Sequence, residues 1–340
     1  MTASDEPKSS KNSLISVKET KIFDPADGYG PTLNDPLEVT DASVTKRGSQ
    51  WWMFLAGQVK GRPAIQLFSA SLPEGRELQA TGWKLTPDPM NPTKVAMLAE
   101  QELSKRWDLN GGRHCPSYVR GWDPHRNSWV ERIYYAGAAE NLWGPYTIGY
   151  LEWNGDKWVE QAEPVFAANQ DWERGSVYEP NLVYFDGKWR MWYVAGSNAE
   201  DYIVQGYAES VDGRTNWSEH KIFFAAEEKV FDFCVARSGN GFEAVFSRVW
   251  LAGDKPPART GLWWCRADRP DANLRNWSTP VQFMTAEDRG WHVGPWKPSL
   301  QFSETEPTRR LVFFDGLYRT DEPGPFPFAF TLGCAEFDVP

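Results

Sequence analysis

Polar turns leading into alternating large apolar and polar residues recur along this chain at intervals of about 50–80 residues. Five segments carry the pattern most plainly: 48–57, 127–137, 187–196, 239–248 and 307–316. In the third, Trp189, Met191, Tyr193 and Ala195 alternate with Arg190, Trp192 and Val194. Period-2 patterning rich in aromatic and β-branched residues predicts a strand for each copy. A supersecondary unit returning at this spacing marks a radial or stacked repeat.

The flanks repeat as well. Ahead of each copy lies a short candidate inner strand, at 34–39, 114–119, 178–185, 231–237 and 296–302. After each comes a third strand, at 64–72, 146–153, 203–210, 260–267 and 328–337. A fourth follows in four units, at 82–86, 156–161, 216–224 and 276–283, and 14–23 supplies the strand that the fifth unit lacks. Four-stranded units in a ring, closed by an N-terminal strand, define an all-β fold, the five-bladed β-propeller. Closure in this manner leaves no long exposed edge. The expected organisation is a disordered tail at 1–13 and one propeller domain over 14–340.

Composition narrows the function classes. The 19 Trp, 19 Phe and 12 Tyr suit sheets that pack face to face through large side chains. A net charge of −10 argues against nucleic acid, which rewards basic clusters. No run approaches the ~18 apolar residues of a membrane span. The polar N-terminus has no apolar core of a signal peptide, so the expected location is cytoplasmic. Four His and four Cys, irregularly spaced, give neither a zinc ligand set nor a disulfide framework. No metal is therefore expected; a calcium ion in the axial channel is compatible with the acids there but specified by none of them. Oligomeric state is not encoded in any pattern found.

In a propeller blade, the fourth-to-first and second-to-third connections emerge on the face where inner strands begin. Here those connections are the long ones, notably 87–113, 138–145, 166–177, 249–259, 284–295 and 317–327. Long loops on a rigid scaffold are where binding residues gather. Aligning the inner strands on the residue before Pro sets Asp35, Cys115, Glu179, Asp232 and Lys297 around the axis at that mouth. Three acids crowded there repel one another unless paired, hydrogen-bonded or protonated.

Such a chain resembles the five-bladed propeller glycosidases, including glycoside hydrolase families 43, 32, 62, 68 and 117 and the related family 130 phosphorylases. The resemblance implies a base or nucleophile at Asp35, in the run Asn34-Asp35-Pro36, and a general acid at Glu179, in Tyr178-Glu179-Pro180. A second-blade Asp that tunes the acid is missing, because Arg113-His114-Cys115-Pro116 stands there. Either His114 or Asp232 takes that part, or the chemistry is not ordinary hydrolysis.

The residues support the same reading without the family. Breaking a glycosidic bond needs one protonated carboxyl and one ionised carboxylate, and acids on opposite blades meet that demand. Trp143, Trp172, Trp291 and Trp296 lie on functional-face loops or strand starts, where flat rings can stack on sugars. Arg113, His114, Arg174, His292 and Lys297 offer donors to hydroxyl or carboxylate groups. The expected partner is a small carbohydrate. Two other readings are a propeller turned to transferase, lyase or cyclase chemistry on a non-sugar metabolite, and a non-catalytic glycan-binding module.

Overall fold

The computed structural model describes residues 16–62, 64–99, 107–108, 112–138, 140–141, 144–197, 202–248, 259–319 and 328–339. Among them, twenty strands form five four-stranded antiparallel sheets. Blade one holds β2 (Thr40–Arg47), β3 (Gln50–Gly57), β4 (Gln66–Ser71) and β5 (Lys84–Leu85). Blade two holds β6 (Gly112–Asp123), β7 (Ser128–Ala138), β8 (Tyr146–Trp153) and β9 (Trp158–Glu160). Blade three is β10 (Val177–Phe185), β11 (Lys188–Ser197), β12 (Tyr202–Ser210) and β13 (Lys221–Phe224). Blade four is β14 (Val230–Ser238), β15 (Gly241–Arg248), β16 (Gly261–Ala267) and β17 (Val281–Thr285). Blade five is β18 (Gly294–Phe302), β19 (Arg309–Arg319) and β20 (Phe328–Asp338), closed on its outer side by β1 (Lys18–Phe23).

β1 pairs antiparallel with β20, Thr20 opposite Cys334, so the first and last described strands share one sheet. The closing strand is also pinned from its side chains. Glu19 accepts a hydrogen bond from buried His292 at 3.0 Å and pairs with Arg289 at 3.2 Å. The seam that closes the ring is thus charged as well as hydrogen-bonded.

Within the ring, β2, β6, β10, β14 and β18 touch in cyclic order around the axis. Each of these innermost strands carries a bulge near its start. The residue at the bulge has positive φ in every blade: Asp41 57°, Cys115 56°, Glu179 51°, Asp232 61° and Lys297 44°. Bulges re-aim a side chain at the cost of local pairing, and non-glycine residues in the left-handed region are uncommon. Five copies of one strained conformation at equivalent positions identify the hub.

A second ring of contacts lies two residues further along. The side chains of Ser43, Ser117, Asn181, Cys234 and Ser299 each accept a backbone N–H from the next blade, those of Tyr118, Leu182, Val235, Leu300 and Val44. The distances run from 2.9 Å at Asn181 to 3.4 Å at the Cys234 sulfur. Small polar side chains here satisfy buried backbone donors that no sheet ladder can reach. They also fix the blades in rotational register. The apolar core sits between neighbouring sheets: Trp192 of β11, fully buried, packs against Tyr207, Phe223, Phe233 and Trp277.

Candidate active site at the hub

The first blade departs from the sequence expectation. Its innermost strand is β2, not 34–39, so Asp41 rather than Asp35 takes the position equivalent to Cys115, Glu179, Asp232 and Lys297. Asp35 lies six residues upstream and serves the long arm between blades one and two. Its Oδ1 accepts the Val95 N–H at 2.9 Å, its carbonyl accepts the Lys60 N–H at 2.7 Å, and neighbouring Asn34 donates to the Thr93 carbonyl. The proline after Asp35 misled the alignment. Blades two, three and five have Pro after the hub residue, whereas blade one has Ala42 and blade four Phe233. The better signal was the Ser, Asn or Cys two places on, which marks Ser43 and therefore Asp41.

All five hub residues are buried, between 3% and 8% exposed. Lys297 Nζ lies 2.5 Å from Glu179 Oε2 and 3.6 Å from Asp232 Oδ1. Asp41 Oδ2 accepts the Cys115 N–H at 2.8 Å, and Asp232 Oδ2 accepts the Lys297 N–H at 3.1 Å. Oxygens of Asp41 and Glu179 and the sulfur of Cys115 all fall within 4.8 Å of one another. That set of donors can hold a metal ion, but the Lys297 ammonium already supplies a cation to the same carboxylates.

One cation cannot neutralise several buried acids, so protons are shared unequally. Burial opposes the charge on Glu179, yet Lys297, with hydrogen bonds from Asp232 and Cys115, outweighs it and lowers the Glu179 pKa. Asp232 goes the other way: burial and then the Glu179 charge push it well above the usual carboxylate range. Burial and Glu179 also raise Asp41, against Lys297 and His114. Burial, and after it Asp41, holds the Cys115 thiol well above its usual value. Lys297 stays charged, because Glu179 and Asp232 overcome its burial. Glu38, just ahead of β2, is raised to about 7, chiefly by burial.

Asp232 therefore binds its proton more tightly folded than unfolded. Its contribution to stability is complete below the ordinary Asp range and is lost as pH rises toward the folded pKa. Asn mimics the protonated form, so Asp232→Asn should flatten the fall in Tm as pH rises from the ordinary Asp range toward the folded pKa. Thermal melts across a pH series check this; an unchanged slope through that window would show that Asp232 is ionised in the fold.

At the hub, the axis holds a cavity of about 20 Å³ lined by Glu179, Asp232 and Lys297 together with Ser43, Asn181 and Ser299. It has room for about one water and none for a sugar. The residues preceding the hub positions are largely aromatic and buried. There an aromatic wall runs from His114 to Tyr146 (5.5 Å), Tyr178 (5.3 Å), Phe231 (5.9 Å), Trp296 (4.5 Å) and Phe330 (6.2 Å), measured centroid to centroid.

Of the residues read from sequence as substrate contacts, His114, Trp296 and Lys297 are gathered here. Others are taken up by packing. Arg113 is fully buried, bound to Asp108 Oδ2 at 2.9 Å and to Glu160, because its side chain leaves the strand on the face away from the hub. His292 holds the closing strand. Trp291 lies against His292 and Phe314, and its ring covers Gly333, where an added Cβ would meet it at 2.3 Å. Trp172 stacks on Tyr193 at 6.4 Å, and exposed Arg174 lies over the Tyr202 ring at 4.8 Å. Trp143 lies outside the described residues.

This architecture is a five-bladed propeller of the class seen in glycoside hydrolases. No protein-family model and no curated protein matches the sequence. Among solved structures, the chain is similar to the catalytic domain of the Coprinopsis cinerea GH62 α-L-arabinofuranosidase, with TM-score 0.61 and 11% identity over 95% of this chain and 97% of that one. It is similar to Zg3597, a family 117 glycoside hydrolase of the marine bacterium Zobellia galactanivorans, with TM-score 0.57 and 13% identity over 96% and 91% of the two chains. A third structure, described as a glycoside hydrolase, gives TM-score 0.58 and 15% identity over 87% of both chains. At these identities the likeness defines the fold. Among the described residues, no helix is long and apolar enough to cross a membrane.

Proposed function

We propose that the protein is a glycoside hydrolase-like enzyme that breaks or transfers a glycosidic bond above the hub. The observation that carries this is the meeting of Asp41, Glu179 and Asp232, from three blades, with their proton affinities driven apart. Carboxyls whose environments separate their pKa values are the usual material of an acid and base pair.

The roles follow from the electrostatics. Glu179 and Asp232 flank the Lys297 ammonium and hold one proton between them, which passes to the leaving oxygen while Lys297 stabilises the two carboxylates left behind. Asp41 acts as the carboxylate on the other side of the reacting carbon. Its raised pKa makes it a stronger base than an ordinary Asp. Oxygens of Asp41 and Glu179 within 4.8 Å of each other favour the ~5–5.5 Å carboxyl spacing of retaining enzymes over the ~6.5–9.5 Å of inverting ones. The solved arabinofuranosidases of this fold make aryl α-L-arabinofuranosides a sensible first substrate.

A second reading is favoured by the aromatic cluster beside the hub, in which Tyr178, Phe231 and Trp296 are buried and Phe330 packs against them. Such a wall fits a flat apolar metabolite, and the hub would then supply proton transfer to a lyase or cyclase reaction. A panel of aryl glycosides, followed by proton NMR of the first-formed sugar, separates the two. Turnover with retained anomeric configuration is expected. A wild-type protein that leaves every glycoside intact would hand the site to the second reading.

A further inference from the structure

One buried acid near the hub has no counterpart in the ring. In each blade, the residue before the hub position faces a residue of the second strand: Ala56, Ala136, Val194, Ser247 and Asp315 in blades one to five. Three blades fill that place with a small or branched apolar side chain, which shows that packing needs nothing else there. Blade five buries a carboxyl instead, 1% exposed. Burying an acid without partners is costly, so its contacts matter.

Those contacts converge on Asp41. Asp315 Oδ2 accepts the Asp41 N–H at 2.8 Å and the Thr40 hydroxyl at 2.6 Å, and Oδ1 stands 3.0 Å from the same N–H. The same Thr40 hydroxyl lies 3.3 Å from Asp41 Oδ1, so it bridges the two carboxyls. The N–H so held belongs to the hub residue in the left-handed conformation. We infer that Asp315 is the positioning residue of Asp41, fixing its strained backbone and sharing one proton with its carboxyl.

Burial and Asp41 hold Asp315 well above the usual carboxylate range, in keeping with a proton kept between the pair. Asp41 is faced at once by Asp315 from β19, Glu179 from β10, Asp232 from β14, Lys297 from β18, His114 and Cys115 from β6, and Glu38 from the segment before β2. Any pH response belongs to this group as a whole, so Asp315 must be isolated by substitution.

The catalytic consequence rests on the glycosidase reading, but the shared proton does not, and the test separates them. Infrared difference spectra of the full chain, in light and heavy water across a pH series, count protonated carboxyls without any substrate. Asp315→Asn should remove one such carbonyl band and still fold, because its amide can accept the Asp41 N–H. On a glycoside that the wild type cleaves, the same variant should lower kcat by on the order of a hundredfold, with KM little changed and the pH profile displaced. Asp315→Glu should recover part of both. A protonated-carboxyl spectrum identical to wild type, or an unmoved pH profile in a variant that cleaves, would overturn the inference. If no glycoside is cleaved, the infrared result decides it alone.

Discussion

Asp41→Asn should lower kcat on any glycoside that the wild type cleaves by about 10²–10⁴-fold, the usual worth of a positioned general base, and by more if Asp41 is a nucleophile. Asp35→Asn should leave kcat unchanged. The contrast is sharp because the two acids lie six residues apart at the start of blade one and both are buried, at 8% and 6% exposure. Only Asp41 reaches the hub, where it meets Glu179, Lys297 and His114. Asp35 spends its side chain on the Val95 N–H. Asp35→Ala should therefore cost about 1–3 kcal/mol of stability by stranding that donor, without touching catalysis. Glu179→Gln should fall with Asp41→Asn, since it breaks the proton-sharing pair with Asp232. Steady-state kinetics and urea melts on the four variants check the pattern. Turnover lost in Asp35→Asn and kept in Asp41→Asn would return the catalytic base to the upstream position.

Lys297→Met should destabilise the fold by about 3–5 kcal/mol, the range for removing one partner from a buried ion pair. The ammonium is the only cation among the five hub residues and lies 2.5 Å from Glu179. Without it, burial weighs more heavily on Glu179, whose pKa should rise, so the variant should also upset the proton held between Glu179 and Asp232. Lys297→Met with Glu179→Gln should recover most of the stability and none of the activity, because a neutral amide needs no counter-charge. Urea denaturation of the two singles and the double gives the coupling directly. Additive losses would mean that the pair is not coupled in the fold.

Much of this was legible in the chain. Alternating aromatic strands gave the second strands of all five blades nearly to their ends, as with Lys188–Ser197 against 187–196. The closing strand within 14–23 appears as Lys18–Phe23. Glu179, Asp232 and Lys297 were placed at the hub by alignment alone. The failure in blade one came from reading Pro as the mark of the bulge. Proline tolerates that position because the preceding residue is already out of the helical region, but nothing in the geometry demands it, and Ala42 or Phe233 serves as well. Arg113 and His292 were misread for a related reason: a polar residue near a functional loop looks the same in sequence whether it faces substrate or a buried carboxylate. Asp315 could not be found at all, since its meaning depends on Asp41, 274 residues away.

Period-2 patterning and the fixed spacing of turns were enough to determine, from sequence, that the chain builds a ring of five sheets and where its strands lie. Those are local properties, set by which residues suit a half-buried pleated surface and by how far a turn lets the chain run. The protonation of the hub was decided only in three dimensions. Whether a carboxyl there is base, acid or anchor depends on which charges lie within a few ångströms, and the fold brings them from five separate blades to share one cation.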